Sequence, residues 1–150
     1  MKILLVEDDE DKRDDLSLFI IEKLTDDFRI AKSIQSGKKA LQEEKYDLIL
    51  LDMTIPTFDV SPLEQGGRTQ PFGGRMLLAQ MVRNRVETKV VVVTQFDLFG
   101  KGEAEITLQE LDNQLKNSFP KIYCGAIHFS VSITGWKDLL YKKINNLINS

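Results

Sequence analysis

The sequence lacks several features that define common classes of small protein. Its single cysteine, Cys124, cannot form an internal disulfide. Its apolar runs are only a few residues long, far short of the roughly 20 residues that cross a bilayer. The first run, at 3–6, is followed by acids rather than by a signal-peptide pattern. We therefore expect a cytoplasmic protein that does not associate with membranes.

The chain also has no excess of positive charge. Its net charge is -3 and its isoelectric point is near 5.2, and no basic stripe is present to replace counterions along nucleic-acid phosphates. We therefore expect no direct binding of nucleic acid. A length of 150 residues is enough for one well-buried core but short for two full domains. The expectation is a single domain spanning 1–150, with no second domain for output.

What the sequence does contain is a regular alternation of short apolar runs and amphipathic segments. The apolar runs of strand length lie at 3–6, 28–34, 48–51, 90–93 and 122–129. Apolar side chains at helical spacing lie at 16–24, 76–86, 108–115 and 136–148. Strands that alternate with helices predict a parallel sheet with helices on both faces. The predicted fold is an α/β domain of repeated β-α units, five in all.

Acidic residues follow two of the predicted strands, at the edge where a parallel sheet carries its functional crevice. Glu7 and Asp8 come directly after the first strand, and Asp52 ends the third, where a charge has no packing purpose. Carboxylates that meet at close range repel, and a bound hard cation is one remedy. With no histidine or cysteine beside these acids, oxygen ligands favour Mg²⁺. The acids at 9–11 are expected to be solvated at a helix N-terminus.

Several segments carry a resemblance to one family. Residues 3–9 read ILLVEDD, residues 36–41 read SGKKAL, and residues 46–56 read YDLILLDMTIP, with a proline four residues after Asp52. Residues 90–94 read VVVVT. Together they resemble the receiver domain of bacterial response regulators in two-component signalling, the CheY-like family. The resemblance covers nearly the whole chain and implies a doubly wound, flavodoxin-like (βα)5 fold with strand order 2-1-3-4-5.

The resemblance also implies a role for each matching residue. Asp52 would be the phosphoacceptor. Asp8 and Asp52 would bind Mg²⁺ directly together with the backbone carbonyl of Thr54, and Glu7 would act through water. Thr94, at the end of the fourth strand, would be the switch hydroxyl that contacts the phosphoryl group. A histidine kinase or phosphotransfer protein would donate that group, and a downstream protein would read the modified state.

The family pattern breaks at the fifth strand, where receivers carry a lysine that pairs with the phosphoryl group. Residues 122–136 contain neither a lysine nor a proline. His128, the only histidine, lies close to the expected position and is a candidate replacement. Lys101, Arg68 and Arg75, in the long loops, are further candidates. The sequence therefore leaves the cation of the pocket unassigned.

The segments after the third and fourth strands also depart from the family. Gln95 stands where the family has a small residue, and its bulk is expected to limit access to the phosphoacceptor. Residues 57–74 and 95–102 form longer loops than a receiver needs, and we expect a lid or a partner-docking surface there. The second loop holds three large apolar side chains: Phe96, Leu98 and Phe99. They either anchor a partner or pin the loop to the domain.

Three functions remain open at this point. The first is a stand-alone receiver that is phosphorylated on Asp52 with Mg²⁺, signals through protein contacts and has no enzymatic activity beyond self-phosphorylation and autodephosphorylation. The second is a pseudo-receiver that binds partners without phosphorylation. The third is a metal-dependent, phosphatase-like enzyme, which ranks lowest because such enzymes generally need a general acid where this chain has Thr54.

Overall fold

The computed structural model describes residues 1–59 and 69–149 of the chain. We number the strands of the central sheet β1 (Ile3–Val6), β2 (Phe28–Ala31), β3 (Leu48–Leu51), β4 (Lys89–Thr94) and β5 (Tyr123–His128). Their order across the sheet is β2-β1-β3-β4-β5, and all neighbours are parallel. The predicted α/β architecture and its strand order 2-1-3-4-5 are confirmed.

Helices cover both faces of this sheet. They are α1 (Glu10–Lys23), α2 (Ile34–Glu43), α3 (Gly73–Arg83), α4 (Leu108–Ser118) and α5 (Gly135–Ile148). Side chains of α1 and α5 pack in one apolar cluster, and those of α2, α3 and α4 pack in the other. Along β1 the residues alternate between the two clusters, so a wholly apolar strand is buried on both sides. No helix within the described ranges is long and apolar enough to cross a membrane.

Among the element boundaries that differ from those predicted, two have a local cause. The run at 28–34 divides, because Ser33 accepts a hydrogen bond from the Ser36 backbone N–H at 3.0 Å and thereby caps α2, which begins at Ile34. Helix α3 begins at Gly73 rather than within the apolar periodicity at 76–86. Capping and glycine positions therefore set these boundaries, whereas the hydrophobic pattern only located the elements.

A short antiparallel pair of strands accompanies each long loop. Ile55–Pro56 pairs with Thr69–Gln70, and Leu98–Phe99 pairs with Ile106–Thr107. The rings of Phe72 and Phe99 lie 6.4 Å apart, so the two loops pack on each other. Phe99 is buried and pins its loop to the domain, whereas Phe96 and Leu98 are exposed. Residues 60–68, which include Arg68, lie outside the described residues.

Strand β5 contains a bulge close to its start. Val90 pairs with Tyr123 and Val92 with Ala126, so β5 carries one residue more than β4 over this stretch. Gly125 lies within it at a φ of 120°, a conformation that favours glycine. The Lys143 ammonium donates to the Cys124 carbonyl at 3.2 Å and occupies the space beside Gly125. Helix α5 is thereby fixed to the strand that ends at the functional edge.

Candidate functional site

Three acids meet at the carboxyl edge of the sheet. Glu7 and Asp8 follow β1 and Asp52 follows β3, two adjacent parallel strands in which Val6 pairs with Leu51. One ligand oxygen of each acid lies within 4.8 Å of those of the other two. Glu7 and Asp52 are buried, and Asp8 is half-buried. The structure thus brings together the three carboxylates that the sequence analysis selected.

Burial makes the charged form of these carboxyl groups unfavourable. Loss of hydration raises the pKa of Glu7, and the nearby Lys12 ammonium opposes that rise. For Asp8, burial and, to a smaller extent, the charge of Asp52 raise the pKa to about 6. A cluster of this kind is stable in its ionised form only when cations are close.

The structure places a lysine in the cluster that the sequence analysis did not select. The Lys12 ammonium lies 2.5 Å from Glu7 Oε1 and 3.2 Å from Asp52 Oδ1. It also donates to the backbone carbonyl of Val93, in β4, at 2.7 Å. The Lys12 side chain is 1% exposed. Within the described part of the chain, these two buried carboxylate oxygens form ion pairs with the ammonium and have no hydrogen-bond partner.

Lys12 reaches the pocket because α1 begins directly after the acids. The N-cap residue Asp9 accepts a hydrogen bond from the Lys12 backbone N–H at 3.0 Å, which sets Lys12 in the first turn. Lys12, Leu16, Phe19 and Ile20 then form the buried stripe of the helix, at positions i, i+4, i+7 and i+8. The sequence signal was a lysine four residues before Leu16, in line with the apolar positions of the helix and next to the predicted acid pocket.

The other predicted site residues occupy the same edge. Thr94 ends β4, is fully buried, and its Oγ1 accepts a hydrogen bond from the Phe96 backbone N–H at 3.2 Å. Thr54 is half-buried, two residues beyond Asp52, and Gln95 is exposed directly after β4. The acids at 9–11 are exposed at the start of α1, as predicted. The roles assigned to Thr54, Thr94 and Gln95 stay predictions.

Three of the four candidate cations named from the sequence lie in the described part of the chain, and each of these has another partner or is exposed. His128 is exposed at the end of β5, and its Nε2 lies 3.2 Å from Asp97 Oδ1. Arg75 donates to a glutamine of α4 and stacks on Phe72. Lys101 is exposed. Among the described residues, the cation that forms ion pairs with the acids of the pocket is Lys12.

Gly74 brings the start of α3 against the backbone that carries Asp52. The Gly74 N–H donates to the Met53 carbonyl at 2.9 Å. A Cβ atom at Gly74 would lie 2.7 Å from the Asp52 carbonyl oxygen and 3.0 Å from Met53 Cα. These are backbone atoms, which no side-chain rotation can move aside. The glycine therefore fixes the course of the chain just beyond the phosphoacceptor candidate.

We expect Gly74→Ala to lower the free energy of unfolding by about 1–3 kcal/mol, because the new methyl group forces the Asp52–Met53 backbone to move. Gly135→Ala is the matched control, since the nearest atom to its added Cβ, Ile133 Cγ2, is 3.9 Å away, and its effect should stay within about 1 kcal/mol. Urea unfolding followed by circular dichroism measures both. Equal stability of the two variants would contradict the close approach at Gly74.

Comparison with known proteins identifies the family. No protein-family model matches the chain. The chain is 33% identical over 150 residues to the Detocs response regulatory protein DtcB of Enterobacter cloacae (strain JD6301), covering 98% of this chain and 100% of that protein. It is 35% identical over 141 residues to the uncharacterized protein y4jR of Sinorhizobium fredii (strain NBRC 101917 / NGR234), covering 91% and 92%. The solved structure of the response regulator protein TrrA from Thermotoga maritima, in complex with Mg²⁺-BeF, has a TM-score of 0.62 and 16% identity, covering 95% of this chain and 97% of TrrA. The chain belongs to the response regulator family and has the receiver fold.

Proposed function

We propose that this protein is a signalling receiver that accepts a phosphoryl group on Asp52, with Mg²⁺ bound at the acid cluster. The observation that carries the proposal is the convergence of Glu7, Asp8 and Asp52, whose ligand oxygens lie within 4.8 Å of one another at the functional edge of the sheet. Membership of the response regulator family supports a signalling role. The output would be a change in protein–protein contacts.

The donor set fits a hard divalent cation. Three carboxylates and one ammonium leave two formal negative charges in the cluster, and all side-chain ligands are oxygens, which suit Mg²⁺. Asp8, Asp52 and the Thr54 carbonyl would hold the ion directly, and Glu7 would hold it through water. When bound, Mg²⁺ offsets the negative charge that develops on the phosphoryl oxygens.

The proposed reaction is a phosphoryl transfer to the Asp52 carboxylate. One carboxylate oxygen attacks the phosphorus of the donor and forms the new O–P bond. The bond from phosphorus to the donor nitrogen or oxygen breaks, and its electron pair leaves with the donor group. Attack of water on the acyl phosphate later releases inorganic phosphate and restores the carboxylate. The donor would be the phosphohistidine of a histidine kinase or of a phosphotransfer protein.

Thr94 would respond to the added group. Its hydroxyl oxygen accepts from the Phe96 N–H at 3.2 Å, so the hydroxyl proton can be donated to a phosphoryl oxygen. That hydrogen bond would draw the loop after β4 towards Asp52. Because Phe96 and Leu98 lie exposed on this loop, the surface offered to a downstream protein would change with phosphorylation.

The test is the intact mass of the protein after incubation with acetyl phosphate and Mg²⁺. The wild-type chain should gain the mass of one phosphoryl group, and Asp52→Asn should gain none, because an amide cannot form the acyl phosphate. Chelation of Mg²⁺ with EDTA should also prevent the gain. A matched control is Asp59→Asn, an acid outside the cluster, which should be modified like the wild type.

Two outcomes would overturn the proposal. Modification of the Asp52→Asn variant to the wild-type extent would place the phosphoryl group elsewhere. An unmodified wild-type chain that also binds no Mg²⁺ would make the protein a pseudo-receiver, whose partners bind without phosphorylation.

A further inference from the structure

The geometry points to Lys12 as the residue that binds the phosphoryl group on Asp52. In the family this role belongs to a lysine at the end of the fifth strand, which this chain lacks. Lys12 would supply the same ammonium from the first turn of α1. This inference rests on the proposed function, since it assigns the group that contacts the phosphoryl oxygens once they are attached to Asp52.

The position of the Lys12 ammonium is fixed by oxygens from three parts of the sheet edge. It pairs with Glu7 after β1 and with Asp52 after β3, and it donates to the Val93 carbonyl in β4. An ammonium has three protons to donate, and three oxygens surround this one. The Val93 carbonyl is an anchor that phosphorylation leaves in place. A phosphoryl group on Asp52 would therefore carry its oxygens to an ammonium already held 3.2 Å from an Asp52 oxygen.

At the end of β5 an apolar side chain, Phe129, lies beside Lys12. Phe129 follows β5 directly, is buried, and its backbone N–H donates to the Thr94 carbonyl at 2.8 Å. The Lys12 ammonium lies 6.0 Å from the centre of the Phe129 ring. An apolar ring thus stands at the strand end, while a lysine stands in the otherwise apolar stripe of α1. The ammonium of this pocket thus comes from α1 and not from the end of β5.

Charge balance gives this lysine a specific task. The three carboxylates of the cluster are balanced by a dication and one ammonium together. Phosphorylation removes the charge of the Asp52 carboxylate and adds the roughly two charges of a phosphoryl group. The pocket then carries more negative charge than before, so the ammonium is needed most in the phosphorylated state. Loss of Lys12 should therefore weaken phosphoryl binding more than metal binding.

The experiment uses beryllium fluoride as a phosphoryl analogue at saturating Mg²⁺. Its affinity for the wild-type chain, Lys12→Met and Lys23→Met is measured by fluorine NMR of the bound species, and Mg²⁺ binding is measured separately by calorimetry. Lys12→Met should bind the analogue at least about tenfold more weakly, as expected when one partner of a buried charge pair is removed. It should still bind Mg²⁺ at least as well as the wild type. Lys23, exposed in the last turn of α1, is the matched control and should change neither.

A second variant tests whether an ammonium from the end of β5 can take the place of Lys12. Lys12→Met combined with Phe129→Lys returns the ammonium to the pocket from the end of β5, and it should regain most of the affinity that Lys12→Met loses. Should neither variant fold, the side-chain ammonium NMR signal of Lys12 in the wild-type chain provides the measurement. That signal should shift when beryllium fluoride binds, because its partner changes from a carboxylate to the analogue.

The outcomes separate this inference from the proposed function. If the wild-type chain binds neither Mg²⁺ nor the analogue, the proposed function fails and the role of Lys12 fails with it. If the wild type and a folded Lys12→Met bind the analogue equally, the proposed function stands and the role of Lys12 alone is overturned. An ammonium signal that does not move on binding would overturn it as well.

Discussion

Replacing Lys12 with methionine is expected to lower the free energy of unfolding of the metal-free protein by about 3–5 kcal/mol, the usual effect of removing one partner of a buried ion pair. Glu7 and Asp52 would keep their buried oxygens but lose the ammonium that pairs with both. Methionine fills a similar volume beside Phe129, so the loss arises from charge rather than from a cavity. Guanidinium unfolding in EDTA, followed by the fluorescence of the single tryptophan, Trp136, measures the change.

Two further variants show whether the effect has this cause. Lys23→Met, an exposed position on the same helix, should change the free energy of unfolding by less than about 0.5 kcal/mol. Adding Glu7→Gln to Lys12→Met should recover part of the loss, because one of the two unpaired carboxylates is then neutral. Independent, additive effects of these two changes would contradict the ion pair, since coupled residues are non-additive.

The loss should also depend on pH in a defined direction. Burial raises the pKa of Glu7 above its ordinary value of 4.5 in the folded protein. Protonation of Glu7 therefore stabilises the folded state relative to the unfolded state, and this stabilisation is lost as the pH rises through the raised pKa. The Lys12 ammonium opposes that rise, so removing it raises the pKa of Glu7 further. The variant therefore continues to lose stability up to a higher pH than the wild type does. The difference between the wild type and Lys12→Met should therefore be smaller at about pH 5 than at about pH 8.

Much of the fold could be predicted because its three central strands, β1, β3 and β4, are buried on both faces. Runs such as Leu48–Leu51 contain no polar residue, and the acid that follows marks where the strand leaves the core. The short antiparallel pairs at the two long loops were not predicted, since each strand is only two residues long and shows no periodicity. The first turn of α3, which begins at Gly73, could not be predicted because the apolar periodicity of that helix begins only at 76.

The acids of the site were predictable and its lysine was not, for one physical reason. Carboxylates at strand ends are placed by the sheet itself, so the order of elements brings Glu7, Asp8 and Asp52 together. Lys12 is placed by the rotation of α1 about its axis, which depends on how Leu16 packs against the sheet. Lysine is almost never fully buried unless paired, so its place in the apolar stripe becomes meaningful only when the acids beside it are known to converge.

Asp8→Asn should weaken Mg²⁺ binding at least about tenfold. Substitution of residues that contact only the ligands of a metal already reduces metal affinity by that amount, and Asp8 is proposed to be a ligand itself. The same change should stabilise the metal-free protein. Burial and the charge of Asp52 raise the pKa of Asp8 to about 6, so ionised Asp8 is unfavourable in the folded state at neutral pH and a neutral amide removes that penalty. Calorimetric titration measures the first effect, and thermal unfolding in EDTA measures the second.

Asp9→Asn is the matched control for this pair of opposite effects. Asp9 is the adjacent acid, it caps α1 rather than facing the cluster, and asparagine caps a helix about as well. It should bind Mg²⁺ like the wild type and unfold at a similar temperature. General misfolding lowers both metal affinity and stability. If Asp8→Asn binds Mg²⁺ more weakly and is also more stable, misfolding therefore cannot be the cause. If Asp8→Asn instead binds Mg²⁺ with unchanged affinity, the ion is held elsewhere and the acid cluster is not the metal site.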